Sequence, residues 1–105
     1  MDMIFCPLYS GSSGNALFVQ YGGTRLLIDA GKSGKMIAEA LDMIGVDPKT
    51  LDGVLVTHEH SDHIAGVGVL ARKYKLPVYA TNATWEAMDE KVGKMPEGCR
   101  RTCDT

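Results

Sequence analysis

Short apolar runs bounded by glycine or proline alternate with stretches of helical periodicity, and this alternation predicts an α/β fold. The order along the chain is strand, hairpin, helix, strand, helix, strand, helix, which lets helices cover a sheet. A length of 105 residues suits one small domain. Composition agrees, since 45% hydrophobic and 23% charged residues exclude a disordered or collagen-like chain.

The first strand is expected at Ile4-Phe5-Cys6, closed by Pro7. Ala16 to Tyr21 and Arg25 to Ile28 flank Gly22-Gly23-Thr24 and read as a β-hairpin. Ser33 or Gly34 begins a helix whose Met36, Ile37, Ala40, Leu41 and Ile44 trace one face at the 3.6-residue period. Gly45 and then Asp47-Pro48 stop it. Val54-Leu55-Val56 is continuous and β-branched, as a buried strand requires.

Ile64, Val67, Leu70, Ala71 and Tyr74 return to helical spacing, and Pro77 to Ala80 forms a further short strand. Thr81 or Asn82 caps a helix carrying Trp85, Met88 and Val92 toward the core. Residues 92–105 are expected to be an irregular tail with no further strand, holding Cys99 and Cys103 as unpaired thiols. Cys6 is expected to be a small core residue. Lys73, Lys75, Arg100 and Arg101 are assigned to a solvated surface.

Charge and cysteine content exclude several classes. Eleven Lys+Arg against 13 Asp+Glu give a formal net charge of −2, too little positive charge for bulk electrostatic binding of nucleic acid. The longest uncharged apolar stretch, Ile64 to Ala71, contains two glycines and is far too short to span a membrane. No basic segment followed by an apolar run opens the chain, so no secretory signal is expected. Three cysteines cannot all pair within one chain, and a thiol-reduced cytoplasmic location is expected.

The chemistry concentrates in Thr57-His58-Glu59-His60-Ser61-Asp62-His63, which contains all three histidines of the chain. The segment leaves an expected strand and enters an expected helix, where α/β proteins place their ligands. In an extended segment His58 and His60 point to the same side and can converge on one metal ion. Asp62 and His63 follow as the backbone turns and can address a second position nearby. Imidazole and carboxylate suit zinc, manganese or iron without any thiol. Two such ions about 3.5–4 Å apart can share a hydroxide and hold both attacking and leaving oxygens. Separately, Ser10-Gly11-Ser12-Ser13-Gly14-Asn15 could offer backbone N–H groups to a phosphate through Ser12, Ser13, Gly14 and Asn15, although such loops are usually turns.

His58-x-His60-x-Asp62-His63 resembles the H-x-H-x-D-H signature of the metallo-β-lactamase-fold hydrolases. The resemblance extends over Ser10 to Asn15, Leu26-Leu27-Ile28-Asp29-Ala30-Gly31, Val56 to Ile64, Gly66 to Leu70 and Thr84 to Met88, and together these are similar to the YycJ/WalJ-like group. It implies a metallo-β-lactamase-like αβ/βα sandwich with metals at one edge, only the N-terminal half of which is in this chain. By position, His58 and His60 would ligate a first divalent metal, and Asp62 and His63 a second. Asp62 would also be the catalytic proton acceptor, and Asp29 would support the site without ligating.

The implied activity is metal-dependent phosphodiester hydrolysis, as a 5′-to-3′ DNA exonuclease using a hydroxide activated by a dinuclear site. The same chemistry could serve a carboxyl ester, lactone or thioester. Members of the group supply two more histidines and a bridging aspartate from downstream, whereas no histidine follows His63 here. Residues 1–105 are therefore expected to be the N-terminal portion of one domain of a longer enzyme. The other expectation is a non-catalytic truncated fragment that self-associates through its incomplete sandwich.

Overall fold

A computed structural model describes residues 2–11, 14–58 and 60–103, apart from the side chains of residues 61 and 62. Its single six-stranded sheet runs in sequence order: β1 (Met3–Tyr9), β2 (Ala16–Tyr21), β3 (Thr24–Ile28), β4 (Gly53–Leu55), β5 (Val78–Ala80) and β6 (Arg100–Thr102). The first three strands pair antiparallel, and β3 through β6 pair parallel. Helices α1 (Gly34–Met43), α2 (Ser61–Ile64), α3 (Val67–Tyr74) and α4 (Asn82–Val92) provide the crossovers between the parallel strands. No helix among the described residues is long and apolar enough to cross a membrane.

Local chemistry sets most boundaries as the sequence predicts. Ser33 caps α1 through its hydroxyl, which accepts from Met36 N–H, and Thr81 caps α4 by accepting from Thr84 N–H. Gly45 follows α1 with φ +76°, and Val46 N–H returns to the Leu41 carbonyl. Asp47 caps one 3₁₀ turn over Pro48–Thr50.

Three expectations are corrected. Strand β1 does not stop at Pro7 but continues to Tyr9; β1 is an edge strand, where a residue without an N–H is tolerated. The helical stretch from Ile64 to Tyr74 is two helices, because Gly66 is pinned against the loop that follows β3. Its N–H donates to Ala30 O at 2.8 Å, and a Cβ there would collide with the Lys32 carbonyl oxygen. The stretch 92–105 is not an irregular tail throughout: Arg100–Thr102 pair with Val78–Ala80 as β6.

That last strand is held by contacts no periodicity announces. Val78 N–H donates to the carbonyl of Cys99, a buried residue, and Cys103 N–H donates to Ala80 O. The buried Trp85 donates its indole N–H to Arg101 O at 2.7 Å. Arg100 lies over the Trp85 ring and pairs with Asp89, whose hydrogen bond raises the guanidinium pKa further and keeps it charged.

Opposed residues in the register share a sheet face, which separates two surfaces. Phe18, Leu27, Val54, Val78 and Ala80 form one, fully buried with Ile37, Leu41, Val67, Leu70, Trp85 and Met88 from the helices. Phe5, Leu17, Val19, Leu26, Ile28, Leu55 and Tyr79 form the other, and each is half-buried or exposed.

Candidate metal centre

The site residues gather where β3 and β4 both end, at the carboxyl edge of the parallel strands. Asp29 follows β3 with φ +64°, a left-handed conformation uncommon outside glycine and more accessible to Asp and Asn than to most residues. Its N–H donates to Leu55 O at 2.7 Å, so the turn is tied to the end of β4. Ala30 N–H then donates to His63 O, and Gly31 N–H to Asn15 O, both at 2.8 Å. The loops after β1, β3 and β4 are thereby stitched into one edge.

Asp29 is the only buried charged residue among those described, and its carboxylate has three donors. Oδ1 accepts Thr57 N–H at 2.7 Å, and Oδ2 accepts the Thr57 hydroxyl at 2.6 Å and His63 Nδ1–H at 2.8 Å. Asp29 thus bonds to a backbone amide, as a strand-end aspartate does, and orients an imidazole as well. Composition could not show the second contact, which closes across 34 residues of sequence.

His58 and His60 are exposed and His63 is half-buried. Extended geometry paired His58 with His60, and their ring centroids lie 6.3 Å apart. The His58 ring is nearer to that of His63, at 4.8 Å, because the chain turns directly into α2, with His63 N–H donating to His60 O. The Asp62 side chain lies outside the described residues. Among the described residues no three His, Cys, Asp or Glu side chains close around an ion position. The donor set present still suits a divalent metal, since three imidazoles share one edge and one of them is braced by a buried carboxylate.

For the glycine-rich loop, Ser12 and Ser13 lie outside the described residues. Gly11 N–H donates to Asn15 Oδ1, Asn15 Nδ2 to Gly11 O, and Gly14 N–H to Gly11 O. Among the described residues, these bonds tie Gly11 to Asn15 and Gly14 to Gly11. Gly14 is required here, because at φ +145° a Cβ would stand 2.7 Å from Gly31 O. Beside His63 and Asp29, a hollow of about 300 Å³ opens onto the uncovered sheet face, lined also by Pro7, Tyr9, Asn15, Leu17 and Ile28. Thr57 has no role in the sequence reading; a hydroxyl directly before the first histidine was the available signal.

A helix-backed sheet with an imidazole cluster at its strand ends defines an α/β domain. More narrowly, the chain belongs to the metallo-beta-lactamase superfamily, whose family model matches residues 9–100. It is 50% identical over 96 residues to the exodeoxyribonuclease YycJ of Bacillus anthracis, covering 91% of this chain and 36% of that protein. It is 55% identical over 90 residues to the exodeoxyribonuclease WalJ of Streptococcus pneumoniae serotype 2, covering 84% of this chain and 34% of that protein. The chain spans about a third of the length of these curated relatives. A solved metallo-beta-lactamase from Cronobacter sakazakii, a HARLDQ-motif mutant, shares the fold with a TM-score of 0.73 at 18% identity, over 93% of this chain and 42% of that one.

Proposed function

We propose that this chain carries the first metal-ligand motif of a metal-dependent phosphodiesterase, a DNA exonuclease working 5′ to 3′. The observation that carries the reading is the brace from buried Asp29 to His63 inside an imidazole cluster, an outer carboxylate of the kind that orients metal-binding histidines. Similarity to two exodeoxyribonucleases over most of the chain supports DNA as substrate.

His58 and His60 would hold one divalent ion, and Asp62 and His63 a second. Zinc or manganese bound there, with iron also chemically suitable, would supply Lewis acidity at the phosphate and an acidified water. Asp62 would accept a proton from such a water. Asp29 keeps the His63 ring from rotating. The hollow beside His63 receives the scissile end, on the face the helices leave open.

The test is metal content and turnover of the full-length protein. His58→Ala and His60→Ala each remove metal and leave the protein soluble; unchanged stoichiometry in both ends the ligand assignment. Asp62→Asn suppresses hydrolysis more than DNA binding, and a retained wild-type rate rejects its role. Faster turnover of a lactone or thioester than of a DNA end would move the substrate class.

A second reading concerns the 105-residue chain alone, whose uncovered apolar face favours association with another copy. A monomeric sedimentation mass would overturn it.

A further inference from the structure

Donors and acceptors around His58 are fixed by its neighbours. The Asp29 carboxylate can only accept, and the shortest contact of the Thr57 hydroxyl is to its Oδ2, at 2.6 Å. Thr57 has one hydroxyl proton, and this contact takes it. The same oxygen lies 3.0 Å from His58 Nδ1 and meets that nitrogen as an acceptor. Nδ1 of His58 must then carry the ring proton, leaving the lone pair on Nε2. His63, whose Nδ1 faces Asp29 directly at 2.8 Å, is set the same way.

We infer that Thr57 is a positioning residue whose hydroxyl, oriented by Asp29, fixes the His58 ring in the Nδ1–H tautomer and makes Nε2 its electron-pair donor to a divalent cation. The cation rests on the function proposed above; the tautomer does not. The relay is needed because His58 is exposed and packing alone does not hold its ring. Thr57 can do this because Asp29 also holds its backbone, through the 2.7 Å bond to its N–H.

The experiment reads the ring nitrogens of isotope-labelled histidine by proton–nitrogen correlation in the intact, metal-free protein. It is run in the alkaline limit, where added base no longer moves the signals. Wild type should show protonated Nδ1 and unprotonated Nε2 on both His58 and His63. Thr57→Val, which keeps the shape and removes the hydroxyl, should move His58 toward Nε2–H and leave His63 unchanged. Thr57→Ser should restore the wild-type pattern.

Zinc titration of the same samples should show binding weakened about 10–100-fold in Thr57→Val and recovered in Thr57→Ser. Protonated Nε2 on wild-type His58 overturns the inference, whether or not the valine variant folds. So do unchanged His58 signals in Thr57→Val. The expected tautomers in a protein that takes up no zinc would overturn the metal-site function while supporting control of the ring by Thr57.

Discussion

Leu26 and Leu27 are neighbours on β3 with opposite surroundings. Leu27 is 0% exposed beneath the helices, whereas Leu26 is half-buried on the other face, in line with Val19 on the adjoining strand. The contrast repeats along the sheet, with Phe18, Val54 and Val78 sealed and Leu17, Leu55 and Tyr79 partly open. Both faces are largely apolar, but among the described residues only one has a cover. A sheet wetted on one side normally alternates apolar with polar residues, whereas this second face stays largely apolar. The hollow beside Asp29 and His63 opens on that face, so both residues lie at its rim.

Paired truncations on β3 test this contrast most strongly. In the 105-residue chain, Leu27→Ala should cost about 2–5 kcal/mol in chemical denaturation, and Leu26→Ala well under half of that. Equal losses would mean that the open face is covered in solution.

Next in size is Gly66→Ala, where the added Cβ meets backbone at Lys32 and nothing flexible can yield. A cost of about 1–3 kcal/mol is expected, with the largest amide shift changes at Ala30 and His63. Ser33→Ala removes the side-chain cap of α1 and should cost about 1 kcal/mol. The smallest effect on stability is expected for Phe5→Ser, within about 0.5 kcal/mol because the side chain is 61% exposed. The same substitution should lower self-association, read as a fall in sedimentation mass. No change in mass would remove Phe5 from the contact.

Much of the fold was legible because it rests on local rules. The hairpin announces itself through Gly22-Gly23, α1 through Ser33 and its apolar spacing, and α4 through Thr81 and the buried trio Trp85, Met88 and Val92. Strand β6 was not legible, since Arg100–Thr102 is polar and exposed and owes its pairing to Trp85 and the β5 backbone. The break at Gly66 was hidden too, because its cause is a carbonyl more than thirty residues earlier in sequence.

By itself, the sequence determined the α/β order and the concentration of imidazole and carboxylate between Thr57 and His63, both carried by spacing and residue type within a few positions. Tertiary structure alone decided that Asp29 reaches Thr57 and His63, that His58 lies nearer His63 than His60, and that Gly31 bonds to Asn15. The physical reason is that hydrogen bonds to a buried carboxylate are specified by where distant segments meet, and periodicity holds no record of that meeting.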